Sequence, residues 1–283
     1  MKGYILYDKE SYKLNFGFAN MIMDYAKQKG IHLTVLLRED VSMSMENSKL
    51  KLVHKSRDDI SGDFILNRCI DPMLAEFAEG AGFRLFNSFE VCRICNDKRL
   101  THIYFANKGI PMVNSVFLNK FDKDYTHKSY PAILKAPDGH GGKEVFWLDS
   151  PKDFDHQYEN RLVQAPVKKL GYDLRVYVMN GEILAPMLRH SSQDFRSNFT
   201  LGGTASLHTL SKEEKDLVNK VIKCMPKGAL YVGIDFIFDE DTMFLNEIED
   251  IVGSRMLYSQ TSIPVHELLV DSVINEMNKG EPR

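Results

Sequence analysis

By type and spacing, Asp235, Glu247 and Glu249 are the residues of this chain best suited to chemistry. They lie in two apolar runs, 231–238 and 243–248, joined by the acidic turn Asp239-Glu240-Asp241. Two such runs around a short polar turn read as a β-hairpin. Successive strand side chains face opposite ways, so Glu247 and Glu249 emerge together, and the hairpin brings Asp235 beside them. Three like charges at close quarters cannot all stay ionised without cations, and hard oxygen ligands suit Mg²⁺ that also binds substrate phosphates. A solvated acidic edge is the competing reading; Ile234, Phe236, Ile237 and Leu245 around the acids argue for a half-buried setting.

Three further groups can handle anions. Lys135 precedes the link Asp138-Gly139-His140-Gly141-Gly142-Lys143, whose backbone N–H groups can approach phosphate oxygens closely and which reads as a mobile flap. It is not a Walker loop, because Glu144 follows Lys143, and Glu144 also breaks the kinase glycine pattern; a plain hairpin turn is the alternative. The run Asp194-Phe195-Arg196-Ser197-Asn198, ahead of Gly202-Gly203, offers a guanidinium, a hydroxyl and an amide to anionic oxygens, or is an exposed polar loop. Asp173 and Arg175 share one strand face, as an ion pair, as site residues, or both. Cys92 and Cys95 have the spacing of a redox or zinc half-motif, but nothing completes a four-ligand zinc site, so reduced, partly buried thiols are expected.

The elements that position these residues alternate. Strands at 2–7, 31–37, 63–67 and 83–86, with helices at 16–29 and 72–79, imply an open parallel α/β layer. The stretch 41–55 has no clean period and is left unassigned. A change of domain falls near 88–97. After it come a helix at 99–108, strands at 132–135, 144–148 and 161–167, and a pair at 174–179 and 183–188 turning on Asn180-Gly181. Ser211-x-x-Glu214 opens a helix with Leu217, Val218, Val221, Ile222 and Met225 on one face, and a last helix spans 264–278.

At 283 residues and 43% hydrophobic content the chain can bury a substantial core. A formal net charge of -3 argues against a broad nucleic-acid or anionic-membrane surface. No apolar run is long enough to cross a bilayer, and residues 3–7 are too short for a signal peptide, so a cytoplasmic location is expected.

The order of the pieces is the sharper signal. Asp97-Lys98, Lys135 before the glycine-rich link, Gly171-x-Asp173-x-Arg175, Asp194-x-Arg196-Ser197-Asn198 with Gly202-Gly203, Gly233-x-Asp235 and Glu247-x-Glu249 closely resemble the ATP-grasp ligases, especially the RimK-like branch that joins glutamate or related amino acids to a carboxylate. The resemblance covers roughly 88–260. It implies an α/β (α+β) ATP-grasp fold behind an N-terminal Rossmann-like (pre-ATP-grasp) parallel-sheet domain, divided as 1–92, 93–167 and 168–283. It implies ATP and two Mg²⁺ ions, with Mn²⁺ as the substitute, and a small-molecule or peptide carboxylate with an amino-acid amine as substrates. Lys98 and Lys135 then contact ATP phosphates beneath a flap of Gly139, His140, Gly141, Gly142 and Lys143, and Gln164, Ala165, Pro166 and Val167 form the hinge against adenine. Asp173, Arg196, Ser197 and Asn198 belong to the nucleotide site, Asp235, Glu247 and Glu249 hold metal, and Arg175, Arg189 and Arg196 serve the reacting phosphate. A homodimer is the expected assembly.

The chain departs from the family pattern in three places. Glu249 stands where Asn is usual, which adds negative charge and should strengthen metal dependence. Ala165 or Pro166 replaces the acidic hinge residue, and Asp250-Ile251-Val252-Gly253 replaces the usual Pro-Gly segment beside the acceptor. Competing functions are an ATP-grasp ligase with a thiol or carrier-protein acceptor, a catalytically silent Mg-ATP-binding module, and a redox protein built on Cys92 and Cys95.

Overall fold

A computed structural model of the protein describes residues 1–122, 127–139, 144–153, 160–192, 194–196 and 203–280. The chain opens with β1 (Lys2–Tyr7), α1 (Lys9–Gln28), β2 (His32–Leu37), β3 (Val41–Glu46), β4 (Lys49–His54), β5 (Phe64–Asn67), α2 (Pro72–Gly80) and β6 (Arg84–Phe86). Four of these strands make an all-parallel sheet in the order β2-β1-β5-β6. α1 buries Ala19, Ile22 and Ala26, a single stripe at helical spacing. It begins seven residues before the expected start at 16, because Asp8 accepts a hydrogen bond from the Ser11 N–H at 2.8 Å and caps an exposed, polar first stretch that carries no apolar period. The unassigned stretch is the antiparallel β3-β4 hairpin, turning on Asn47 and Ser48 at φ 50° and 61°.

The remaining chain runs α3 (Phe89–Cys95), α4 (Lys98–Ala106), β7 (Ser115–Phe117), β8 (Ala132–Lys135), β9 (Val145–Leu148), β10 (Leu162–Gln164), β11 (Tyr172–Met179), β12 (Glu182–His190), β13 (Thr204–Leu207), α5 (Lys212–Cys224), β14 (Tyr231–Asp239), β15 (Thr242–Glu249), α6 (Arg255–Gln260) and α7 (Val265–Asn278). Two antiparallel sheets result, β7-β10-β8-β9 and β13-β12-β11-β14-β15. β10 is shorter than the expected 161–167 strand, and Pro166, which has no N–H to give a ladder, lies beyond its end. α3 and α6 were not foreseen: 7 and 6 residues are too few for a helical period to declare itself.

In the five-stranded sheet, Leu174, Val176, Ile234, Phe236 and Leu245 bury one face against Val218 and Val221 of α5. The other face carries Asp173, Arg175, Asp235 and Glu247 toward one end and Tyr177, Met187 and Tyr231 toward the other. The capping box of α5 forms as expected, with the Glu214 N–H on Ser211 Oγ at 3.1 Å and the Ser211 N–H on Glu214 Oε2 at 2.7 Å. α7 docks on α1, where Asp271 pairs with Lys29 at 2.9 Å and accepts from Tyr25 Oη at 3.1 Å. One core therefore joins the first layer (Ile5, Ile22, Phe64) to the late elements (Tyr177, Tyr231, Leu269). Cys92 and Cys95 are buried and free, and burial pushes both thiols up, the inert state expected of structural cysteines. Among the described residues no helix is long and apolar enough to cross a membrane.

Candidate active site

Sequence alternation fixes the polar face of the large sheet. Asp173 stands opposite Arg189 across β11-β12, Arg175 opposite Asp235 across β11-β14, and Asp235 opposite Glu247 across β14-β15. From this register a continuous ladder of charges follows. Arg175 donates through Nε and Nη2 to the two oxygens of Asp235 at 2.7 and 2.6 Å, and its Nη2 also reaches Glu249 Oε1 at 2.6 Å. Arg189 donates from Nη2 to Asp235 at 2.7 Å and bonds both oxygens of Asp173. Asp235 is fully buried, yet its carboxyl is held below the usual range: burial opposes ionisation, and the charges of Arg175 and Arg189 outweigh it.

The three acids converge as expected, each offering an oxygen within 4.8 Å of the others. The compensating cations, however, are partly built in. The sequence reading assigned that role to metal ions alone; the structure places two guanidiniums there first. Burial pushes Glu249 up, against the pull of Arg175.

At the neighbouring end the pattern changes. A β-bulge between Asp235 and Phe236 leaves Asn246 without a cross-strand partner and re-aims its side chain. Asn246 Oδ1 accepts from Lys135 Nζ at 2.7 Å, and its carbonyl oxygen lies 3.2 Å from His102 Nε2, which must be the protonated ring nitrogen there. Lys98, first residue of α4 after the Asp97 cap, donates to the Gly139 carbonyl and lies 3.4 Å from Glu247. Burial, reinforced by the like charge of Lys98, lowers Lys135 to about 8 despite Glu247 nearby. The same burial, with Lys135 and Lys98 adding to it, drives His102 down to about 4, so the ring is neutral. Glu247 is lowered, because Lys98 and Lys135 outweigh its burial.

A cleft between the two antiparallel sheets collects Lys98, Lys135, Gly139, Gln164, Ala165, Pro166, Val167, Asp173, Arg196 and Glu247. Gln164 is turned inward, donating to Ser115 Oγ at 2.8 Å, and Arg196 is paired with Asp194 at 2.7 Å. Arg175, Arg189, Asp235 and Glu249 do not line this cleft; they form the ladder behind it. His140, Gly141, Gly142, Lys143, Ser197 and Asn198 lie outside the described residues. Asn246 and His102 were missed. His102 had a signal, since it follows Lys98 at i, i+4 and shares its helix face; Asn246 had none, because strand alternation points it away from Glu247 and only the bulge reverses that.

Comparison with known proteins converges on one family. The RimK-like ATP-grasp domain model matches residues 95–273. The uncharacterized protein MG011 of Mycoplasma genitalium is 28% identical over 286 residues, spanning 98% of this chain and 94% of its own. Glutamate–LysW ligase ArgX of Sulfurisphaera tokodaii is 26% identical over 217 residues, 71% of this chain and 76% of its own. In fold, D-alanyl-alanine synthetase A from Vibrio cholerae aligns over 97% of this chain and 98% of its own, with a TM-score of 0.71 at 16% identity. The matched segment contains the two lysines, the arginine ladder and the acidic hairpin alike, and on that match the chain belongs to the RimK-like ATP-grasp ligase family.

Proposed function

We propose that the protein is an ATP-dependent carboxylate–amine ligase. A substrate carboxylate attacks the γ-phosphorus of ATP, releasing ADP and leaving an acyl phosphate; an amine then adds to the acyl carbon, phosphate departs, and the amine's surplus proton goes to solvent. The observation that carries this reading is the pair of buried lysines, Lys98 and Lys135, facing one cleft, with Lys135 donating, among the described residues, to the neutral Asn246 oxygen. Two ammonium groups so placed suit a polyphosphate and stabilise the charge that moves during phosphoryl transfer.

The donor set fits magnesium. Asp235, Glu247 and Glu249 offer hard oxygens within 4.8 Å, and Glu247, whose ion pair is with Lys98 at 3.4 Å rather than with Arg175 or Arg189, is the acid most available to a metal. Bound there, Mg²⁺ supplies charge neutralisation of phosphate oxygens. Two ions are the family expectation; with Arg175 already serving Asp235 and Glu249, Glu247 would contribute most to holding them. In this reading Gln164 to Val167 meet adenine, Asp173 and the segment Arg196-Ser197-Asn198 complete the nucleotide site, and Gly139 to Lys143 exclude water from the acyl phosphate. Arg175 and Arg189 act by holding the acids in register. The three-part division at 1–92, 93–167 and 168–283 is retained.

A relative named a glutamate–LysW ligase favours glutamate as one substrate and makes a protein-borne acceptor the second reading. The experiment is ADP release from Mg-ATP across a panel of amino-acid pairs and peptide carboxylates, with the amide product identified by mass. Lys135→Ala should abolish both signals; undiminished ADP release and amide formation in that variant would remove the lysines from the mechanism.

A further inference from the structure

The parallel sheet winds in opposite directions from its middle: β1 leads to β2 on one side, while β5 leads to β6 on the other. The carboxyl ends of β1 and β5 therefore border a crevice, the place where open α/β sheets bind ligands. Here the crevice is a cleft of about 290 Å³, lined by Asp8, Ser11, Arg38, Arg68, Asp71 and Ile251 among others. α1 and α2, of 20 and 9 residues, begin at it with their N-caps Asp8 and Asp71.

Its two arginines are in different states. Arg38 is closed, with Nε on Asp71 Oδ2 at 2.6 Å and Nη1 on the Val41 carbonyl at 3.1 Å. Arg68 is 4% exposed and donates from Nη2 to the Val252 carbonyl at 2.9 Å, but its Nε has no partner and it forms no ion pair with a carboxylate of the described residues. Asp250 is close enough to feel its charge, yet that carboxyl faces Asn96 Nδ2 at 3.0 Å. Beside Arg68 on β5, Asn67 Nδ2 also lacks a partner, as does Tyr7 Oη at the end of β1. A void of about 10 Å³ next to Asn67 and Arg68 has room for one water, which serves an amide but gives the guanidinium no bonded carboxylate. The planar fork of an arginine is matched by a carboxylate.

The crevice is joined to the acid cluster along the chain. Glu249 ends β15, Ile251 lines the crevice two residues later, and the carbonyl of Val252 is the one that holds Arg68. Val252 reaches this position because Gly233 has no side chain: a Cβ there would stand 2.7 Å from Val252 Cγ2. Among the described residues no hydrogen bond or ion pair joins Arg68 to Lys98, Lys135 or the acid cluster, so an anion held there would stand apart from the group being phosphorylated.

Resting on the ligase reading, we propose that Arg68 anchors a non-reacting carboxylate of the substrate, so that the ligase takes a molecule with a carboxylate to spare. Two sources share this chemistry: the α-carboxylate of an amine-bearing amino acid, and the second carboxylate of a dicarboxylic acid. Either one enters at the sheet's switch point and presents its reacting group past residues 250–252 to the nucleotide cleft.

The test is calorimetric titration of the full chain, with Mg-ADP present, using L-glutamate, L-alanine and glutarate as probes, in wild type, Arg68→Met and Arg68→Lys. Binding of at least one probe to wild type, weakened about 30-fold or more in Arg68→Met and less in Arg68→Lys, is expected. L-Alanine binding without glutarate identifies the amino-acid source, and glutarate binding without L-alanine the diacid. Removing a buried cation that no carboxylate of the described residues bonds should leave the melting temperature of Arg68→Met at or above that of wild type, whereas an arginine of purely structural use would lower it. Equal affinities in wild type and both variants, or no binding of any probe to wild type, overturns the proposal. Mg-ADP binding is read in the same samples: its loss in wild type strikes the ligase reading, while its retention with an indifferent Arg68 strikes this proposal alone.

Discussion

Asp235 and Glu247 are cross-strand neighbours on one sheet face, yet they belong to opposite kinds of electrostatic construction. Around Asp235 every charge is met: two guanidiniums grip it, and these also hold Asp173 and Glu249. Around Glu247 the charges are held loosely, with Lys98 at 3.4 Å and the ammonium of Lys135 given to a neutral amide oxygen. A closed network fixes geometry, and an open one keeps charge in reserve for a ligand. The same contrast recurs on the parallel sheet, where Arg38 is closed on Asp71 and Arg68 is not.

The largest effect that sharpens this comparison comes from breaking the closed side. Asp235→Ala takes the shared carboxylate from two buried guanidiniums, leaving Arg189 to Asp173 and Arg175 to Glu249, and urea denaturation should show a loss of about 3–5 kcal/mol; a loss below about 1 kcal/mol would mean the ladder is not a structural unit. Asp235→Asn keeps the side chain's shape but removes the charge that both arginines meet.

Next comes acid sensitivity at the open side. His102 has a native pKa of about 4 against an ordinary 6.5, so the unfolded chain binds its proton first as pH falls. Stability from this group is complete above 6.5 and is lost progressively down to 4, a total of about 3 kcal/mol. Denaturation of metal-free protein across that window should show the slope in wild type and a flatter one in His102→Gln; identical slopes would contradict a buried neutral histidine.

Smaller is the effect of Glu249→Gln. Arg175 keeps its bidentate grip on Asp235, so the loss falls on metal affinity, and half-saturation by Mg²⁺ in nucleotide binding should weaken by roughly threefold to tenfold. Smallest is the exposed pair Lys168–Glu240 at 2.6 Å, where Lys168→Ala should leave the urea midpoint where it is in wild type.

Much of this contrast was legible before any coordinates. Strand alternation put Asp173 with Arg175 and Glu247 with Glu249, the hairpin put Asp235 beside the glutamates, and the order of short motifs identified the family; that the two groups share one face is decided by register. What could not be read was the pairing: sequence gives Arg175 and Arg189 as cations near a phosphate site, while register alone decides that they face Asp235 and Asp173. The bulge at Asn246 is invisible for the same reason, since one extra residue flips a side chain without changing any pattern. In the first layer, the start of α1 and the β3-β4 hairpin escaped because exposed polar turns and half-exposed methionines carry no period. Residues 140–143 and 197–198, central to the expected phosphate grip, lie outside the described residues.

The central claim is that the undersatisfied lysine end is a nucleotide-phosphate site. Its most direct test is calorimetric titration of Mg-ADP into wild type and Lys135→Met, with melting curves on the same samples. The account predicts an affinity about 100-fold weaker in the variant at an unchanged or higher melting temperature; equal affinity for Mg-ADP in the two proteins would contradict it.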